Sequence, residues 1–167
     1  SIWAVAGRVL VEYFQDVERG CTISAKGIQL QPQLADPWFW HGRVLALARR
    51  HREAVETLEQ GWQWLPQVGG YLQSLPAAVW LGEIYQALGE QTSSRCWWDE
   101  AHNQAKELME YSPATTYYWQ GRVWEALGNL KGAMQVYQDS LNQHLLYPTH
   151  KEVKEALKRL QTLTSLP

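Results

Sequence analysis

His102, with Asp99, Glu100 and Glu107 close by, is the group in this chain nearest to a metal-ligand set. Imidazole and carboxylate do bind divalent metals, but a solvated helix face accounts for these polar residues without an ion, and no metal or cofactor is expected. Nucleophilic chemistry fares no better. Cys21 and Cys96 have neither a CxxC spacing nor a His partner, and read as two small buried side chains. There is no GxGxxG, P-loop, HExxH or GxSxG, and no nucleophile–base pair at a recognisable spacing. Arg49-Arg50-His51-Arg52 is basic, yet so short a run is too small to hold phosphate at physiological salt and reads as a solvated turn. What remains is non-covalent. The chain carries 10 Trp, and Trp and Arg are the side chains that concentrate binding free energy at protein interfaces.

Composition limits what those residues can be part of. With 167 residues, 46% hydrophobic and 19% charged, the chain can bury one substantial core and is not of the disordered class. A formal net charge of −2 gives no field that would gather nucleic acid or anionic lipid. No apolar run approaches the roughly 18 residues that span a bilayer, and no targeting or lipidation signal is visible, so a cytoplasmic placement is expected. The chain lacks an initiator Met and Ser1 falls at the start of a helix pattern, as expected of a domain excised from a longer protein.

The elements that position the aromatics are amphipathic helices in pairs. Between Ala35 and Pro66, Trp38, Gly42 and Leu45 share one helical spacing, and Ala54, Leu58 and Gly61 share the next. A polar turn at Arg49–Arg52 joins them and Pro66 stops the second. Trp38, His41, Gly42, Leu45, Ala54, Leu58 and Pro66 meet the pattern Trp-x-x-Leu-Gly-x-x-Tyr, Ala-x-x-x-Phe, Pro, and the unit resembles a tetratricopeptide repeat, a helix–turn–helix of 34 residues. The match recurs. Trp3, Gly7, Leu10, Gly20, Ser24, Gly27 and Pro32 form an earlier copy, with an extra residue expected in the turn near Asp16. Ala78, Leu81, Gly82, Tyr85, Gly89, Ser94, Trp98 and Ala101 form a third, after a linker at Gln67–Ser74 in which Ser74 is a candidate N-cap. Tyr117, Gly121, Trp124, Gly128, Ala133, Tyr137 and Leu141 form a fourth that ends late, at Pro148. Gly20, Ser24 and Gly27 make a poor helix-forming set, and the second helix of the first copy is expected to be the least stable.

The resemblance implies an all-α fold, a right-handed α-α superhelix or solenoid of four repeats at about 1–34, 35–66, 75–111 and 114–147. A helix at about 149–163 closes its end. Thr149 and Glu152 have capping-box spacing there. Val153, Ala156, Leu157 and Leu160 form the inward stripe, with Lys151, Lys154, Glu155, Lys158 and Arg159 outward. Stacked repeats would also hold Cys21 and Cys96 too far apart for a disulfide.

The resemblance further implies that first helices line a concave groove. Two residues before each signature glycine stand Val5, Trp40, Trp80 and Trp119, and one after stand Arg8, Arg43, Glu83 and Arg122. Three before adds Phe39, Val79 and Tyr118, with Ala4 in the first copy. Such a surface suits an acidic or carboxylate-ending peptide with apolar side chains. The competing reading is packing: Glu83 pairs with the arginines of neighbouring repeats, and the tryptophans stack between repeats. The groove does not match the chaperone-tail clamp, whose Lys, Asn and Arg places are taken by Ala4, Arg8, Trp40, Pro76 and Trp80, with only the cation at Arg8 kept. Trp62/Trp64 and Trp97/Trp98 are expected to place one member of each pair outward on second helices. The function implied is a non-catalytic protein–protein interaction module, an adaptor or scaffold whose partner is a peptide or another subunit. The alternative is a regulatory or oligomerisation domain of a larger protein, its groove filled in cis or by self-association into a homo-oligomer.

Overall fold

The computed structural model describes residues 2–66, 73–143 and 150–165. Nine helices run through them in chain order: α1 (Ile2–Glu12), α2 (Val17–Leu30), α3 (Ala35–Leu47), α4 (His51–Trp62), α5 (Ser74–Ala87), α6 (Gln91–Leu108), α7 (Pro113–Ala126), α8 (Leu130–Leu141) and α9 (His150–Thr164). They pack as the antiparallel pairs α1/α2, α3/α4, α5/α6 and α7/α8. Each pair rests on the next, with α9 on α8. No helix among the described residues is long and apolar enough to cross a membrane.

Glycine sets the spacing within each pair. A Cβ on Gly7 would fall 2.7 Å from the Ser24 Cβ, one on Gly42 2.6 Å from the Leu58 Cγ, and one on Gly82 2.7 Å from the Trp98 ring. At Gly121 the Tyr137 ring blocks it in the same way. Ser24, Leu58, Trp98 and Tyr137 occupy one register position, so the four first-helix glycines have equivalent surroundings. The α1/α2 crossing is the tightest in backbone terms, because a Cβ on Gly7 also meets the Gly20 carbonyl at 2.6 Å. Gly20 and Gly27 are thus seated at the buried face of α2, a gain in close approach against their poor helix propensity.

The turns repeat as well. Arg50, Glu90 and Asn129 each send a backbone N–H five residues back, to Leu45, Tyr85 and Trp124, closing the Schellman motif that ends α3, α5 and α7. Asp16 reaches six back, to Leu10, so the first turn does hold one more residue. Asp16 then caps α2 by accepting from the Arg19 N–H at 3.3 Å. Ser74 is the first residue of α5 and not its cap; its hydroxyl instead donates to Gln104 Oε1 at 2.6 Å, tying α5 to α6. Thr149 and Pro148 lie outside the described residues, as does most of the linker before Ser74.

The core is continuous from α1 to α9 and ends on the apolar stripe of α9, where Val153 and Leu160 are fully buried and Ala156 and Leu157 nearly so. Lys151, Lys154, Glu155, Lys158 and Arg159 are exposed. Arg159 also reaches back to Glu125 through both carboxylate oxygens, at 2.6 and 2.8 Å, which fixes α9 against α7.

Candidate functional site: the first-helix face

The rows on the first helices divide by depth. One residue after the glycine, Arg8, Arg43, Glu83 and Arg122 are all part-exposed. Three before it, Phe39 and Val79 are core residues at 1% and 0% exposure. Phe39 lies over Gly61 and meets the Trp62 ring at 6.1 Å, on the second-helix side of its repeat. Neither lines a groove. This corrects the sequence reading: packed neighbours cover these two side chains, whereas Ala4 in the same row borders a cavity. Tyr118 in the same row is buried too, packed on Trp119 and Tyr137, though it borders a cavity.

Two before the glycine, the indoles stack along the solenoid. Trp40 and Trp80 have centroids 5.6 Å apart, and Trp80 and Trp119 meet edge to face at 6.0 Å. Trp80 and Trp119 are 2% and 3% exposed, so they are inter-repeat packing and not open surface. Trp40, at the head of the row, is only part-buried. The arginines follow the same division. Arg122 pairs with Glu83, lies over the Trp119 ring at 6.0 Å, and donates to the Tyr118 hydroxyl at 3.3 Å. Arg43 lies over the Trp80 ring at 5.3 Å. Arg8 makes a surface pair with Glu12 at 3.6 Å on its own helix, of the kind worth about 0–1 kcal/mol.

Among the described residues, cavities open on this face at both ends. Between α5, α7 and α9, a cleft of about 440 Å³ is lined by Glu83, Arg122, Glu125, Glu152, Glu155 and Arg159 among others. Its charges are largely matched in pairs, and Glu125 also accepts from the Tyr137 hydroxyl at 2.5 Å. Burial and the Glu125 carboxylate together push the Tyr137 phenol well above its ordinary pKa. Between α1 and α3 lies a cavity of about 370 Å³, lined by Ala4, Val5, Arg8, Trp40, Arg43 and Val44, with Gln73 at its edge. This one is apolar within and cationic at the rim.

Ser24 and His41 form a pair between α2 and α3 that no local motif reveals. His41 Nδ1 and Ser24 Oγ are 2.6 Å apart, joining α3 to α2. Burial, with the charge of Arg50, lowers the His41 pKa to about 4 against the opposing pull of Glu53. A Ser–His contact with a carboxylate nearby has the components of a nucleophile, but Ser24 is 1% exposed and no substrate carbonyl can reach it. The pair is a part-buried hydrogen bond between repeats. The signal was positional: His41 stands beside Gly42, at the junction that the preceding second helix covers.

Elsewhere the expectations divide. Cys21 is buried and Cys96 is exposed, against the reading of two buried thiols, and both are free. Cys96 lies on α6 two residues before the inward Trp98, on the side that α5 does not cover. Trp98 packs inward and Trp64 is 43% exposed, while Trp62 and Trp97 meet edge to face at 5.0 Å between α4 and α6. The basic turn is largely neutralised, Arg50 by Glu53 and Arg52 by Glu90. No three His, Cys, Asp or Glu side chains converge among the described residues.

No protein-family model and no curated protein sequence matches the chain. Solved structures do. A tetratricopeptide-repeat protein of Thermus thermophilus, TTC0263, is similar over 94% of this chain and 79% of that one, at 20% identity and a TM-score of 0.67. Two others align less well: the MamA RS-1 ArsTM double mutant (15% identity, 98% of this chain and 96% of that one, TM-score 0.48) and YrrB, described as a tetratricopeptide-repeat protein with an unusual peptide-binding site (18%, 89% and 87%, TM-score 0.37). With four glycine-spaced helix pairs, a closing ninth helix and the Thermus structure superposing along nearly all of it, the chain has the tetratricopeptide-repeat fold, an all-helical superhelical solenoid.

Proposed function

We propose that the chain is a non-catalytic protein-interaction module, an adaptor or scaffold, that holds a peptide of a partner protein on the first-helix face at its α1–α3 end. The observation that carries this is the cavity of about 370 Å³ with its apolar lining and its Arg8 and Arg43 rim. Its size suits a side chain or two, and clefts of this kind fix ligands by apolar burial with a few polar groups for orientation. The guanidinium groups suit a carboxylate, so an acidic or carboxylate-ending peptide fits best. Peptides selected from a displayed random library, labelled and titrated by fluorescence anisotropy, test it. Binding at least tenfold weaker to the Arg8→Glu/Arg43→Glu double variant, with helicity retained, is the expected outcome. Unchanged binding would move the partner surface elsewhere.

A second reading, self-association through the amino-terminal end, has one observation in its favour. Ile2 and Val5 are 79% and 54% exposed, whereas Pro37, Ala77 and Thr116, at the register position of Ile2, are buried. Light scattering across a wide concentration range decides it, and a strict monomer eliminates it.

A further inference from the structure

The row two residues before each glycine explains why the α1–α3 cavity exists. Trp119 lies against Trp80, and Trp80 against Trp40. One repeat earlier the place belongs to Val5, a side chain too small to continue the stack. The space between Val5 and Trp40 is the cavity. Trp40 is therefore the last ring of a stack, part-buried, with one neighbour indole behind it and an open volume in front.

The cations follow the same register. Arg43, one residue after its glycine, lies over the indole of the following repeat, Trp80. Arg8 holds the same place one repeat earlier, at the rim of the open volume. Among the described residues it pairs with Glu12, both side chains more than a third exposed, so a ligand carboxylate can exchange for Glu12 at little cost.

From this geometry we infer that the cavity is a subsite for an aromatic side chain of the bound peptide, which stacks on Trp40 and extends the row by one ring, with an acidic neighbour in the peptide meeting Arg8. The inference rests on the peptide-binding reading and adds the residue class that the site selects. An aliphatic side chain would bury similar area but gain neither the ring-to-ring geometry offered by Trp40 nor the attraction of a π-face to the rim guanidinium groups.

The probes are three fluorescein-labelled Gly–Ser peptides alike except for a central Asp-Trp-Asp, Asp-Leu-Asp or Asp-Ala-Asp, titrated by anisotropy alongside the library-selected peptides. The Trp probe is expected to bind about fivefold or more tighter than the Leu probe, with the Ala probe weakest. Val5→Trp supplies the missing ring from the protein itself and is expected to fold with an equal or higher melting temperature while losing at least tenfold in affinity for the Trp probe. Val5→Glu places a carboxylate in the same space without a ring, at an exposed position, and is expected to lose binding equally. Should Val5→Trp not fold, Val5→Glu gives the reading. If the Leu probe binds as tightly as the Trp probe while both Val5 variants lose it, the peptide site stands and the aromatic subsite is overturned. If the selected peptides bind both Val5 variants unchanged, the cavity is not the subsite. If no peptide binds the wild-type protein, the peptide-binding reading itself fails and takes this inference with it.

Discussion

The two halves of the first-helix face are built from the same rows and end up as opposites. At the carboxy-terminal half, between α5, α7 and α9, the row of indoles is filled and buried, and the charges are matched across helices: Glu83 with Arg122, Glu125 with Arg159. At the amino-terminal half, between α1 and α3, Val5 leaves the stack one ring short, and the arginines rim an apolar hole. A Trp or Arg in a repeat row has no fixed role. When its register neighbour is another ring or an acid it holds repeats together, and where the neighbour is small, as Val5 is before Trp40, it is left part-exposed beside a cavity. The contrast thus separates residues whose loss is expected to destabilise the protein strongly from residues whose loss should leave the fold alone.

The largest test of that contrast is Trp80→Ala against Val5→Ala. Trp80 is 2% exposed, touches an indole on each side and carries Arg43 over its face. Its removal from a packed interface is expected to cost about 3–5 kcal/mol. Val5 is more than half exposed, and its truncation should cost about 0.5 kcal/mol or less. Urea unfolding followed by circular dichroism measures both. Similar costs at the two positions would mean that the row is not divided in the way the burial shows.

The division explains what could be read from the sequence and what could not. The four glycines were readable because each sits where any Cβ would collide with its partner helix, so the constraint acts on residue type directly. Burial along the rows was not, because positions −2 and −3 from the glycine differ by one helical step, and only the packed partner decides which is covered. Phe39 and Val79 fell on the wrong side for that reason. The indoles misled for another: Trp is as suitable for an inter-repeat stack as for a hot spot, and composition cannot tell a ring with two neighbours from a ring with one. The Ser24–His41 pair was invisible because its partners stand on separate helices, 17 residues apart, and are brought together only by the stacking of α3 on α2.

That pair gives the amino-terminal half a pH dependence of its own. His41 is held neutral by burial and by Arg50, with a folded-state pKa of about 4 against an ordinary value of 6.5. The folded protein binds fewer protons than the unfolded chain between those values, so this contribution is complete above pH 6.5 and is lost as pH falls toward 4. The part-exposed ring keeps the expected loss to about 1–3 kcal/mol. Unfolding free energies measured from about pH 7 to about pH 4.5 should fall for wild type and stay flatter for His41→Gln, since the lower limit lies above most of the carboxylate titration. Parallel curves for the two proteins would remove His41 from the account. Because the pair joins α2 to α3, hydrogen exchange at acid pH should rise there before it rises in α5–α8.

The smallest effect concerns the turns, where the halves again differ. One residue in the turn after each first helix adopts the left-handed conformation. It is Gln15 (φ 54°) and Arg49 (φ 61°) at the amino-terminal end, but Gly89 (φ 77°) and Gly128 (φ 81°) at the carboxy-terminal end. A side chain in that region strains against its own backbone by about 1–2 kcal/mol, which glycine avoids. Nothing lies within 4 Å of a Cβ built on Gly89 or Gly128, so substitution there reports the backbone term with no steric contribution. Gly89→Ala should therefore destabilise by about 1 kcal/mol. Arg49→Gly should stabilise by less, about 0.5 kcal/mol, because the glycine also gives the unfolded chain more freedom to lose on folding. Opposite signs from these two substitutions, read as shifts in urea midpoint at unchanged slope, would show that the second repeat carries strain the third has shed. A loss of stability in both would place the Arg49 side chain, and not its φ, in control of that turn.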